Sequence, residues 1–335
     1  MSARSSRLAL PLLAAALIVS ACAPPAPEAP PPPAPPERIR LIVDSDANNE
    51  LDDQFALTYA LHNQDVFDLE GITVNHTRGG GNIQLQYDEA ERIIALSART
   101  DVPLYMGAAG SYTEIVPTLG SPDFDGHAAV DFIIERAHAD DPRPLVLAPI
   151  GKLTNIALAL EKDPSIASKI KIHWLGSHWP MPGEYNLDND TTSVNPVIAS
   201  GAPFDMALVR FGYYSGTGAV KLGLKEVQET MPGLGPRIAQ PITGRHGGEF
   251  YTFGDYAVSL YTEMGEDYRA LYDLAALAVL KNPDWAERVV IDAPRLSGEA
   301  WVEVSPPRRQ IAIWENFNTS LILKDLYATL EAASR

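Results

Sequence analysis

The chain has 335 residues, 46% hydrophobic and 21% charged, with a formal net charge of -17. That is ordinary globular composition with apolar material for a large core. The acidic excess repels phosphate backbones and argues against nucleic acid as a partner, while leaving a small neutral ligand open. The single cysteine, Cys22, excludes an internal disulfide.

At the N-terminus, Arg4 and Arg7 precede the apolar run Leu8 to Val19. The run is too short to span a bilayer and has the shape of a signal peptide. It ends in Val19-Ser20-Ala21-Cys22, which resembles a bacterial lipobox. That resemblance implies that residues 1–21 are a lipoprotein signal peptide and that Cys22 becomes the lipid-bearing first residue. Ala23, rather than Asp, follows the cysteine, which implies a lipid anchor in the outer membrane facing the periplasm. Residues 22–36 are rich in proline and alanine and read as a semi-rigid polyproline tether. No later apolar run is long enough to span a membrane.

The remaining chain, 37–335, reads as one domain. Strand candidates are Ile39 to Val43, Phe67 to Val74, Val102 to Met106, Pro144 to Ile150, Ile170 to Leu175 and Phe204 to Val209. Between them, Leu51 to His62, Ile83 to Ala98, Ala128 to Ala137 and Thr154 to Glu161 carry helical patterns. The alternation predicts an α/β fold with an open, mostly parallel sheet covered by helices on both faces. The last third departs from it. Tyr251 to Met264, Leu271 to Leu280 and Ser320 to Ala333 read as extra helices, and Val289 to Ile291 and Gln310 to Trp314 as a small strand pair at an edge.

In open parallel sheets, ligands bind beyond the carboxyl ends of the strands. After the first strand come Asp44, Asp46, Asp52 and Asp53. After the second come Asn75, His76, a glycine run and Asn82. Gly151 to Asn155 follow the Pro144 to Ile150 strand, and His178, Trp179, Glu184 and Asn186 follow Ile170 to Leu175. These polar groups converge on one sheet edge. Four carboxylates in ten residues repel one another unless a hard cation joins them, and calcium suits carboxylate and carbonyl oxygens. Alternatively, one Asp caps the helix and the rest are solvated.

The cluster reads Asp44-Ser45-Asp46-Ala47-Asn48-Asn49-Glu50-Leu51-Asp52-Asp53. It resembles the D-x-D-P-x-x-D-D motif of the inosine-uridine nucleoside hydrolase family, with Ala47 for the proline and two additional residues before the acid pair. Gly151-Lys152-Leu153-Thr154-Asn155-Ile156-Ala157 is similar to that family's G-P-L-T-N-x-A, Gly183-Glu184-Tyr185-Asn186 to its A-E-F-N, and Tyr272-Asp273 to its H-D step. The four matches occur in family order.

The resemblance implies a Rossmann-like nucleoside hydrolase fold, a Ca²⁺ cofactor, a nucleoside substrate and a homodimer or homotetramer. It implies that Asp46, Asp53 and Asp273 bind the cation through carboxylates and Thr154 through its carbonyl. Asp46 is also implied as the base for the attacking water. Asp52, Glu184 and Asn186 are implied to hold the ribose hydroxyls, with Asn75 or Asn82 in the place of the family's asparagine after the second strand.

N-ribosidic hydrolysis needs a deprotonated water, a gripped sugar and a stabilised leaving base. The family's usual histidine before the late Asp is replaced by Tyr272. Candidates for its task are Tyr272 as a phenolic donor, His178 or His246 as an acid, and Trp179 as a stacking platform. Two rival readings stand beside this one. A haloacid dehalogenase-like, Mg-dependent phosphatase also begins with D-x-D after a strand, with Asp44 as nucleophile. A nucleoside-binding lipoprotein without activity needs no water-activating base.

Overall fold

The run Ile39–Ser45 forms strand β1, buried over all but its first residue. Leu41 and Val43 enter one core and Ile42 the other, as the twofold alternation of a strand requires when both faces are covered. Arg40 interrupts the apolar run yet is only 2% exposed. It donates to Glu70 (3.1 Å) and to the carbonyls of Arg136 (2.7 Å) and Arg143 (3.1 Å). The buried charge is therefore paired and its donors are used.

The computed structural model describes residues 37–335. Cys22, the signal segment and the proline-rich tether lie outside the described residues. Among the described residues, no helix is long and apolar enough to cross a membrane.

After β1 come helix α1 (Asp52–His62), strand β2 (Phe67–Val74), helix α2 (Ile83–Leu96) and strand β3 (Leu104–Met106). Strands β4 (Leu145–Pro149), β5 (Ile170–Leu175) and β6 (Phe204–Ala207) follow. The sheet runs β3-β2-β1-β4-β5-β6, all parallel, and continues through Gln310–Glu315, which is parallel to β6. It ends on Glu287–Asp292, antiparallel to Gln310–Glu315. The expected small strand pair is thus the edge of the main sheet. α1, α2 and the helices Phe253–Met264, Tyr272–Lys281 and Thr319–Ala333 cover one face; His127–Ala137, Thr154–Lys162 and Thr191–Ala199 cover the other.

Two elements differ from the sequence pattern. α1 has no exposed stripe: residues 52–61 are all buried, because the helix lies between the sheet and the helices around it. The helix Thr191–Ala199 has β-branched and polar residues and contains Pro196, so nothing in its propensity announces it. Asp190 caps it, and burial of Val194, Val197 and Ile198 outweighs propensity.

Strand order reverses at β1. From there the chain builds outward to β2 and β3, then returns to the other side of β1 with β4. The crevice beyond the carboxyl ends of β1 and β4 is the topological switch point, where open α/β sheets take their ligands.

Candidate active site

Asp44 is the last but one residue of β1 and is 1% exposed. Its carboxylate accepts from Thr73 Oγ1 (2.7 Å), Asn75 Nδ2 (2.9 Å) and Asn155 Nδ2 (2.7 Å). Burial pushes its pKa up to about 6 against those three hydrogen bonds. Buried, held by three protein donors and absent from the cavity lining, Asp44 is not presented as a phosphatase nucleophile. The haloacid dehalogenase-like reading loses its central residue.

The cavity at the switch point is lined by Asp46, Asp52, Asp53, Glu184, Asn186 and Asp273, together with residues of the surrounding loops. Asp46 follows β1 and accepts from the Thr77 hydroxyl. Asp52 and Asp53 open α1, whose first turn has unpaired N–H groups and a dipole that favours negative charge. Asp273 comes from the first turn of the helix Tyr272–Lys281. All four acids are 5% exposed or less. Carboxylate oxygens of Asp52, Asp53 and Asp273 lie within 4.8 Å of one another.

Burial raises the pKa of each acid. Asp52 is pushed up to about 7; Asp53 reaches about 7 through burial and the neighbouring Asp52 charge. Asp46 is raised by burial and then by Asp53, Asp273 by burial and then by Asp52. Burial comes first in every case, and repulsion between the neighbouring carboxylates adds to it. Hard oxygen donors in this density match a divalent cation such as calcium.

On the other side of the crevice, Glu184 caps the helix Tyr185–Asn189. It accepts from the N–H groups of Ser177 (2.9 Å), Asn186 (3.0 Å) and Leu187 (3.0 Å). Asn186 Nδ2 donates to the carbonyls of Ile150 (2.9 Å) and Leu175 (3.1 Å). Its two N–H bonds are spent on strand ends, so its Oδ1 is left as an acceptor. Gly151 permits this crowding. A Cβ there would meet the Asn75 amide at 2.5 Å and Asp46 Oδ1 at 2.8 Å.

Several expected residues lie elsewhere. Thr154 is not on the cavity; its hydroxyl donates to Asp190 (2.6 Å), tying the two helices together. The strand-end residue that lines the cavity is Ile150. The strand stops one residue before Ile150 and the helix begins at Thr154, so the backbone has already turned away there. Asn75 is fully buried and holds Asp44, whereas Asn82 is exposed and caps α2 through Leu85 N–H (3.1 Å). Trp179 lines a separate cleft with Ile291 and Trp301, and its carbonyl accepts from Arg210. His178 is also off the cavity lining. Its Nδ1 accepts from Phe211 N–H (3.1 Å), and burial lowers its pKa. His246 is exposed and likewise off the lining.

Tyr272 does line the cavity, with burial raising its phenol pKa. Phe211 packs edge-on against it, ring centroids 6.3 Å apart. The lining includes residues to which the motifs assign no role: Asn49, Glu50 and Tyr185 inside them, and Phe211 and Arg269 outside them. Asn49 and Glu50 occupy the lengthened segment before the acid pair, which is the signal that was available for them.

Fold and site define an α/β enzyme whose acidic crevice suits a hard cation and a polyhydroxyl ligand. The model of the inosine-uridine preferring nucleoside hydrolase family matches residues 41–319, and the chain belongs to that family. Membership places it among enzymes that hydrolyse the N-ribosidic bond of nucleosides. An uncharacterized protein of Schizosaccharomyces pombe is 26% identical over 226 residues, 60% of this chain and 70% of that protein. The pyrimidine-specific ribonucleoside hydrolase RihA of Shewanella sp. (strain ANA-3) is 29% identical over 188 residues, 50% of this chain and 57% of that protein. The alignment thus spans little more than half the length of that hydrolase. Among solved structures, a plant nucleoside hydrolase, PpNRh1, superposes with a TM-score of 0.67 at 18% identity, covering 88% of this chain and 100% of that one. A purine-preferring ribonucleoside hydrolase from Gardnerella vaginalis gives 0.66 at 20% identity, covering 88% and 99%. Both share the fold.

Proposed function

We propose that this chain hydrolyses nucleosides to ribose and free base with a divalent cation, calcium by its donor set, held by Asp53, Asp273 and Asp46. The observation that carries the reading is the convergence of Asp52, Asp53 and Asp273 within 4.8 Å, on a cavity shared with Asp46, Glu184 and Asn186. Asp52 belongs to the acid triad as well as to the cavity wall, so it stands between the cation and the ribose hydroxyls. Ile150, past the strand end and on the cavity lining, is the residue whose backbone carbonyl would complete the set in place of Thr154.

A cation bound there supplies a Lewis acid that makes a water easier to deprotonate. The protein does the rest. Asp46 accepts the proton from the attacking water, and Thr77 fixes the carboxylate for that task. Glu184 and Asn186, immobilised by backbone bonds, take ribose hydroxyls and orient the anomeric carbon. Asp44 touches neither water nor sugar; it locks Asn75 and Asn155 beneath the reacting groups.

Purified protein incubated with inosine, uridine and similar nucleosides should release free base, and a chelator should abolish the release. Restoration by calcium in preference to magnesium supports the calcium assignment. Binding of nucleosides without release of base at any cation concentration overturns the hydrolase reading in favour of a non-catalytic binder. The same proposal places the enzyme on a lipid anchor at Cys22, at the outer membrane facing the periplasm. Labelled palmitate should enter the wild-type chain and not Cys22→Ser.

A further inference from the structure

The cavity lining contains six carboxylates, Asp46, Glu50, Asp52, Asp53, Glu184 and Asp273, and a single cationic side chain, Arg269. As an N-ribosidic bond breaks, both electrons pass to the base nitrogen. The departing base becomes an anion in a crevice that repels anions. The histidines considered for this task, His178 and His246, do not line the cavity.

Arg269 is placed by the backbone. It lies in the short strand Tyr268–Ala270, paired antiparallel with Lys221–Gly223 and directly opposite Leu222. Three residues on, the same segment delivers Tyr272, which also lines the cavity, and then Asp273. Nη2 pairs with Glu50 from the lengthened segment before α1, and Nη1 donates to Glu266 (3.3 Å). Nε is buried and has no hydrogen-bond partner. An unpartnered buried donor is costly and calls for a partner, and a ligand in the cavity that Arg269 lines would supply one.

We propose that Arg269 is a catalytic residue that holds the negative charge developing on the departing base, in place of the histidine that Tyr272 replaces. The inference rests on the hydrolase reading above. In the step, the bond between the anomeric carbon and the base nitrogen breaks and its electron pair goes to the base. The water oxygen bonds to the anomeric carbon, and the water's proton goes to Asp46. Arg269 donates hydrogen bonds but no proton, since a guanidinium does not release one near neutral pH. Solvent protonates the released base. Glu50 and Glu266 orient the guanidinium, and the Tyr272 phenol lies beside it as a second donor.

The test compares leaving groups. A nucleoside needs help to lose its base, whereas 4-nitrophenyl riboside loses a stable anion without it. Arg269→Gln should lower kcat on a nucleoside by about 100-fold, the size typical of a lost charge-stabilising donor. On 4-nitrophenyl riboside it should stay within about threefold of wild type. Arg269→Lys keeps a cation and should fall between wild type and Arg269→Gln on the nucleoside. Equal losses on both substrates mean a structural role and overturn the proposal, as does an unchanged nucleoside rate. Wild-type protein that cleaves neither substrate overturns the hydrolase reading itself, a result separable from any behaviour of the variants.

Discussion

The floor and the wall of the crevice are built differently. The floor consists of Asp46 and Ile150 just past strand ends and Asp53 at the start of α1, with Asp44 buried beneath them, fixed by buried hydrogen bonds from Ser45, Thr73, Thr77 and Asn155. The wall consists of Phe211 on a loop, Arg269 on a short ladder and Tyr272 at the start of a helix, with Phe211 46% exposed and the adjoining Tyr213 and Tyr214 more so. The floor sets up a reaction that any nucleoside undergoes. The wall meets the part of the substrate that varies, and a loop can change there without disturbing the sheet.

Variants can break or sharpen this contrast. Asp46→Asn should lower kcat by about 10³-fold, the scale of a lost general base, with little change in KM. An equally severe kcat loss from a wall aromatic would erase the distinction. Asp44→Asn should reduce cation affinity by roughly 10–100-fold, measured by calorimetry, although Asp44 is off the cavity, because it orients groups beneath the ligands. Wild-type affinity in that variant would show that the buried network does not hold the site.

The floor should also reveal itself in stability against pH. Folded Asp44, Asp52 and Asp53 have pKa values raised from 3.8 to about 6, 7 and 7. Each therefore binds its proton more tightly in the folded state. Without a cation, stability is fully present below pH 3.8 for these groups and is lost as pH rises towards 7. Thermal midpoints in chelator should fall across that window, and calcium should flatten the trend. A midpoint that rises over the same window in chelator would contradict the raised values. Smallest of all, Phe211→Ala should raise KM by about tenfold or less, alter preference among bases, and leave kcat near wild type. No change in base preference would remove Phe211 from the wall.

Much of the floor was legible in the sequence because strand ends are. An apolar run that stops at Asp44 announces both a strand and what it presents, and the β–α alternation gives the sheet that gathers such ends. The wall was less legible. Arg269 is brought in by pairing with Lys221–Gly223, a long-range ladder with no local pattern. Trp179 reads as a platform beside Glu184, yet it lines a different cleft, in a loop where Ser177 has a positive φ of 80° that its sequence does not announce. Thr154, expected to offer its carbonyl, is absent from the lining, and Ile150 stands there instead. The strand and helix bounds on either side are legible, but which carbonyl between Ile150 and Thr154 faces the crevice depends on how the connecting turn runs, and no residue pattern marks that.

The Asp44 carboxylate joins partners 29, 31 and 111 residues away along the chain. An unfolded or partly folded chain has the acids but not the arrangement, since Thr73, Asn75 and Asn155 reach Asp44 only when β1, β2 and β4 are in register. Loop-closure entropy makes such distant contacts late arrivals in folding. Cation uptake then reports assembly of the sheet's centre, and the ion stabilises the completed fold over every intermediate that lacks it.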